Sequence, residues 1–392
     1  MGRLGELKKR VIGEVEAHRD QLIELSLRIH AHPETAFREE KAAGWLADYL
    51  ESQGFAVERG ICQIATAFRA AYGDGRPRVA FLSEYDALPG IGHGCGHNII
   101  AVASVGAGLA ARAVVGETGG TALVIGTPAE EAAGGKVFMA NRGAFDGLDA
   151  AMLAHPGNRD VAVAQALACL ELSVEYFGRA AHAAARPEAG INALDALVIA
   201  YNGVSALRQH IRDSARIHGI ITDGGQAMNV VPEHSAAAFL IRAEDDEYLD
   251  ELKEKVLACF RAGAEATGAR LEYRWGEDSR YRAMRTNHAL AEAYRRNMEA
   301  LGRQVQDPEY RRSMGSTDTG NVSVLVPAIH PTVAIAPPDV TIHTPEFRDV
   351  AASEAGHLGL LDAAKAMAMT AVDVLVDADL RRRMEEEFRG GQ

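Results

Sequence analysis

At 392 residues the chain exceeds one typical hydrophobic core and suits two domains, one of them interrupting the other. Hydrophobic residues make up 47% of it, yet no apolar run reaches the roughly 18 residues of a membrane span, so a soluble globular protein without a membrane partner is expected. A formal net charge of −13 argues against a nucleic-acid surface, and four scattered cysteines (Cys62, Cys95, Cys169 and Cys259) do not form the dense framework of a small secreted domain.

The opening residues Met1 to Arg10 contain no apolar signal core, which makes cytoplasmic residence the expectation. Asn321-Val322-Ser323 is then a chance glycosylation sequon. From about residue 4 to 53, apolar residues recur at helical spacing, as in Leu22, Leu25 and Ile29, then Ala42, Trp45, Leu46, Tyr49 and Leu50. Two helices separated by His32-Pro33-Glu34 fit this pattern. Arg78 to Leu82 reads as a buried strand, Ile99 to Val115 as a closely packed helix, and 121–126 and 150–154 as further short strands. Such alternation points to an α/β sheet. Within the helix, Gly106-Ala107-Gly108-Leu109-Ala110-Ala111 mimics a dinucleotide fingerprint, but no strand immediately precedes it, so a small-residue packing face is the better reading.

The texture changes near Cys169. Leu170 to Tyr176 alternates with period two, Ala193 to Ile211 reads as a helix, Ser235 to Arg242 as a strand and Tyr248 to Ala266 as another helix. After Asn287 the helix-then-strand texture returns, with 332–336 a strand and a long alanine-rich helix from about Ala351. A discontinuous catalytic domain, 1–169 and 286–392, interrupted by a smaller domain at 170–285, follows.

Unusual residues gather after the strands of the first domain, where ligands of open α/β sheets bind. Gly92-His93-Gly94-Cys95-Gly96-His97 reads as half of a metal site, its one-residue spacer too tight for an ordinary zinc finger. Strand 121–126 leads to Glu130-Glu131; one of these carboxylates suits a metal while its neighbour takes a proton from water. His155 follows strand 150–154 and His343 follows the last strand, so four strand ends converge on one candidate pocket. His30, His32 and His93 read as structural or supporting residues.

In this order and spacing the chain resembles the M20 metallopeptidases, specifically the amidohydrolase-like M20D branch. The resemblance rests on Arg28 to Glu34, Asp86-Ala87-Leu88-Pro89, His93 to His97, Pro128-Ala129-Glu130-Glu131, Gly178 to Ala184, Asn229 to Glu233 and His343 to Phe347. It implies a mixed-sheet α/β catalytic domain with an inserted α+β dimerisation or lid domain. It implies further that Cys95 bridges two metal ions, that His97, Glu131, His155 and His343 complete their coordination, and that Glu130 is the general base acting on a metal-activated water. By the same resemblance His182 stabilises the tetrahedral oxyanion, often across a dimer, and Asn229 holds the substrate's terminal carboxylate or amide. One or two divalent ions are expected, zinc or manganese first and cobalt or nickel next, since this donor set does not single out one metal.

Two departures narrow the resemblance. Asn98 stands where the pattern continues with Asp, and Met314 to Ser323 replaces the usual Ser-Glu-Asp-Phe. Both features are similar to the subgroup of aminobenzoyl-glutamate hydrolase and β-alanyl-lysine-type dipeptidases. The reading is a metal-dependent, homodimeric amidohydrolase acting on a dipeptide or an acyl-amino acid. Its rivals are a hydrolytic deaminase of a small aromatic or heterocyclic amine and a non-catalytic metal-binding assembly protein.

Overall fold

The computed structural model describes residues 2–131, 134–307 and 315–390, and these divide into two compact units. The first takes in Met1–Gln165, Met284–Arg312 and Asp318–Gln392, the second Ala166–Ala283 and Ser313–Thr317. Three helices open the chain: α1 (Arg3–Ala17), α2 (Arg19–Ala31) and α3 (Glu40–Ser52). The first two, expected as one, part at His18, whose φ of −100° and ψ of 7° leave the helical region.

The first unit continues with β1 (Ala56–Arg59), β2 (Phe68–Tyr72), β3 (Arg78–Ser83), α4 (His97–Thr118), β4 (Thr121–Gly126), α5 (Gly135–Asn141), β5 (Ala150–Met152) and β6 (His155–Gly157). The second unit contributes β7 (Ala168–Phe177), α6 (Ala193–Leu207), β8 (Arg216–Asp223), β9 (His234–Ala243), α7 (Asp246–Thr267) and β10 (Arg270–Trp275). The chain then returns to the first unit with α8 (His288–Ala300), α9 (Thr319–Ser323), β11 (Ala328–Ile329), β12 (Thr332–Ala334), α10 (Pro345–Ala351), α11 (Glu354–Val376) and α12 (Ala378–Gly390). The long helix expected from Ala351 is divided there: Ser353 breaks the run and caps α11, its hydroxyl accepting from the Gly356 N–H.

The first unit's main sheet runs β1-β2-β4-β3-β5-β11, parallel from β4 to β11 and antiparallel through β1 and β2. Strand periodicity divides β3 between two apolar layers, Val79 and Phe81 facing one and Ala80 and Leu82 the other. A strand covered on both faces has no polar side, hence its uninterrupted apolar run. Helix α4 is long and apolar enough by length and composition to cross a membrane, and 83% of that stretch is buried inside the fold. Its glycines explain the decoy fingerprint. A Cβ on Gly108 would stand 2.3 Å from Val124 Cγ2, and one on Gly106 3.1 Å from both Ala364 and Leu22, so they admit sheet and helices to close packing.

The second unit has chain order β-α-β-β-α-β and strand order β10-β7-β9-β8, all antiparallel, a ferredoxin-like arrangement. Along β7, Leu170, Leu172, Val174 and Tyr176 enter a core shared with α6 and α7, while Glu171, Ser173 and Glu175 face outward. That strand begins at Ala168, just before the alternation legible from Leu170. Helix α7 is framed by its caps, the Asp245 carboxylate accepting from the Tyr248 N–H and Gly268 closing the C-terminus in the left-handed region.

Candidate metal centre

The Cys95–His97 loop is the hub of the first unit's polar cluster. Gly96 has φ of 75° and opens α4; a Cβ there would lie 2.5 Å from Pro156 Cγ. Glycine is therefore required twice, for the turn and for the close approach that brings Cys95 and His97 to His155. The Gly94 carbonyl accepts from the His343 N–H at 2.8 Å, which draws in the last histidine. His343 has φ of 68° and Ala129, just before the carboxylate pair, φ of 63°. Non-glycine residues hold such conformations only where surrounding structure enforces them.

Cys95, His97 and His155 form one group of donors lying within 4.8 Å of one another; Cys95, Glu131 and His343 form a second; His97, Glu130 and Glu131 form a third. Donors about 2.0 to 2.3 Å from a common ion stand roughly 3.3 to 3.8 Å apart at tetrahedral angles. The Cys95 Sγ to His155 Nε2 distance is 3.4 Å, His97 Nε2 to Glu131 Oε1 is 3.7 Å, and His343 Nε2 to Glu131 Oε1 is 3.4 Å. His97 Nε2 and Glu131 Oε1 are buried with no hydrogen-bond partner. Polar atoms that face each other at ligand spacing without bonding fit a shared cation. The donor chemistry, thiolate with imidazole and carboxylate, suits a divalent transition metal.

Neighbouring groups aim these donors. His97 Nδ1 meets Asp86 Oδ1 at 3.1 Å and His155 Nδ1 meets the Pro156 carbonyl at 2.7 Å, so each ring turns Nε2 into the cluster. The other Asp86 oxygen accepts from the Glu131 N–H at 2.9 Å. Sequence reasoning placed Asp86 in a motif without giving it this task. The position after His97 carries none of it: Asn98 donates to Ser26 Oγ and to the Ala351 carbonyl, tying α4 to α2 and the end of α10. Lys136, also unforeseen, is fully buried with Nζ 2.6 Å from Glu84 and 2.7 Å from Asp318. Asp318 lies in the unusual 314–323 segment, of which Met314 falls outside the described residues.

Charge separates the two adjacent acids. Burial alone would raise Glu131, but the nearby His343 and His97 imidazoles outweigh it and hold the carboxyl at about 2. Glu130 goes the other way, pushed well above the usual carboxylate range by burial and then by the Glu84 and Asp318 carboxylates. One acid stays anionic, as suits a ligand, and its neighbour binds a proton more readily, as suits a base for water. Burial also disfavours charge on His97, yet Cys95 and Asp86 prevail and raise it well above its ordinary value. His155 falls to about 4 through burial and the nearby His330 and His97, which keeps the imidazole neutral, its ligating form.

In the second unit His182 and Asn229 lie on paired segments, the Ala183 N–H donating to the Asn229 carbonyl at 3.0 Å. His182 Nδ1 accepts from the Ala184 and Ala185 N–H groups at 3.3 and 3.2 Å. In the neutral ring that leaves the proton on Nε2, a donor suited to a developing oxyanion. Both residues are exposed.

The sequence profile of peptidase family M20/M25/M40 matches residues 80–358. Mouse Xaa-Arg dipeptidase is 39% identical over 98% of this chain and 92% of its own. One of the p-aminobenzoyl-glutamate hydrolase chains of Escherichia coli K12 is 30% identical over 98% of this chain and 95% of its own. In fold, a Bacillus subtilis dinuclear metal-binding peptidase of family M20 superposes with a TM-score of 0.72 at 20% identity, covering 92% of this chain and 99% of that one.

Proposed function

The chain belongs to peptidase family M20/M25/M40, and from that premise we propose that it is a metal-dependent hydrolase of an amide bond in a dipeptide or an acyl- or aminoacyl-amino acid. The observation that carries this reading is Cys95, whose sulfur belongs at once to the His97/His155 group and to the Glu131/His343 group. A sulfur common to two donor sets would let Cys95 help hold two divalent ions, with His97 and His155 on one side and Glu131 and His343 on the other. A divalent ion bound there supplies Lewis acidity, polarising a carbonyl and acidifying water. Soft sulfur beside imidazole favours zinc, with manganese the alternative when carboxylate dominates.

The chain's own residues supply the rest. Glu130, outside the two Cys95 groups, takes the proton of the attacking water and returns it to the departing amine nitrogen. Its raised proton affinity suits both halves of that task. The His182 Nε2–H donates to the oxyanion, and Asn229, held beside it, engages the substrate's terminal carboxylate or amide. The relatives' names direct the first substrates to dipeptides ending in arginine and to aminobenzoyl-glutamate.

A homodimer belongs to this proposal. Strand β8 is a sheet edge exposing Ile220 at 66% and Ile221 at 42%, and α6 exposes Val198 and Ile199. An apolar edge with unpaired backbone groups is covered by an identical edge in a twofold dimer. Metal analysis coupled to mass-spectrometric profiling of dipeptides and acyl-amino acids tests the activity. Metal-replete protein that cleaves none of them, and behaves the same as Glu130→Gln, defeats it. For the dimer, inactive Glu130→Gln and His182→Ala protomers are mixed; recovered activity supports a shared site, and none, with heterodimers shown to form, sinks it.

A further inference from the structure

We propose that Glu39 is the positioning residue of the catalytic turn: its carboxylate oxygen holds the left-handed Ala129 in place and so sets where Glu130 points. The inference rests on the reading of Glu130 as general base. Glu39 is fully buried at the start of α3, far in sequence from the carboxylate pair. Its Oε1 accepts from the Ala129 N–H at 2.9 Å and from the Phe37 N–H at 2.9 Å. Phe37 has φ of 59° and Ala129 φ of 63°, so one oxygen binds two of the five non-glycine residues with positive φ among those described.

An alanine in this region is disfavoured against ordinary backbone, and it stays only where other bonds over-determine it. Here those bonds are countable. The Ala129 N–H goes to Glu39, the Ala129 carbonyl accepts from the Gly135 N–H at 3.1 Å, and the Glu131 N–H goes to Asp86 at 2.9 Å. Gly135 seals the turn, because a Cβ there would stand 1.8 Å from the Pro128 carbonyl oxygen. Glu130 is thus flanked by two backbone N–H groups, each anchored on a buried carboxylate from elsewhere in the chain. Asp86 also orients His97, whereas both hydrogen bonds of Glu39 Oε1 come from backbone N–H groups, which sets its task apart. Removing Glu39 leaves a buried N–H without an acceptor and a strained residue without its restraint. The turn then relaxes, and a displacement of about 1 Å at a reacting group costs on the order of 100-fold in rate.

The requirement is for an acceptor, which makes it separable from charge. Glu39→Ala is expected to lower kcat by about 10- to 100-fold with KM within about threefold and metal content unchanged. Glu39→Gln keeps an oxygen for both N–H groups and is expected within about fivefold of the parent. Ala129→Gly, which tolerates φ of 63° without strain, is expected to restore several-fold of kcat in the Glu39→Ala background. If Glu39→Ala does not fold, Glu39→Asp, with its carboxylate withdrawn by one methylene, takes its place with the same expectation. Parental kcat in the Ala or Asp variant, or a Gln variant as impaired as the Ala variant, overturns the proposal. Glu130→Gln is the control: if it turns over at the parental rate, the general-base reading itself falls, whereas inactive Glu130→Gln beside unaffected Glu39→Ala defeats the clamp alone.

Discussion

The Cys95 cluster and the His182/Asn229 segment solve opposite problems with the same residue types. In the cluster His97 and Asp86 are almost wholly buried, and the His97 and His155 rings are aimed by neighbours' hydrogen bonds. In the second unit His182 is exposed, Met228 beside Asn229 is fully so, and position is maintained by backbone bonds between adjoining segments. Charged donors can be kept close together only where surrounding groups fix and compensate them. Residues proposed to meet a substrate must instead be reachable, and His182 and Asn229 stay so on surface segments braced by their own backbone.

The contrast is broken most forcefully at Glu130. Glu130→Gln should cut kcat by roughly 100- to 10,000-fold while metal content, read by elemental analysis, stays at the parental value; loss of metal would make Glu130 a ligand instead. His182→Ala should cost about 100- to 1,000-fold in kcat, again with metal retained, and a thermal midpoint near the parent's would confirm that an exposed residue was removed without harm to the fold. Asp86→Asn separates the regions in the other sense. Metal affinity measured by chelator competition should weaken about 10- to 100-fold, and an unchanged affinity would show that Asp86 does not aim His97.

The smallest expected effect is on stability and its dependence on pH. Burial, with a contribution from the Asp86 charge, raises Glu39 from an ordinary 4.5 to about 7. Between those values the folded chain holds a proton that the unfolded chain has released, so stability declines as pH rises from about 4.5 and the loss is complete above about 7. The amount is of order 1 to 3 kcal/mol. Denaturant midpoints across this range should fall in the parent and flatten in Glu39→Gln; equal slopes in the two would assign the dependence to other groups.

Much of the site was legible because its ligand types stand directly after buried strands, and β3 and β4 declare themselves by apolar runs. The expected strand ends come from more than one sheet: β12 pairs with β6 in a separate two-stranded sheet, and His155 opens β6. Strands β8 and β10 escaped the periodicity test because both are edges with little buried face, so their side chains show weak alternation.

The sequence by itself determined which candidate donors follow the strands and the mixed α/β class, since those depend on local period and residue chemistry. Only the tertiary structure decided what holds the donors. That Asn98 ties helices together, that Asp86 serves His97 and Glu131 at once, that Lys136 lies between Glu84 and Asp318, and that Glu39 reaches Ala129 all depend on residues brought together across long stretches of chain. Periodicity reports which face a residue occupies, whereas a buried polar atom's partner is chosen by packing, because within the core it must take whichever complementary group the fold delivers.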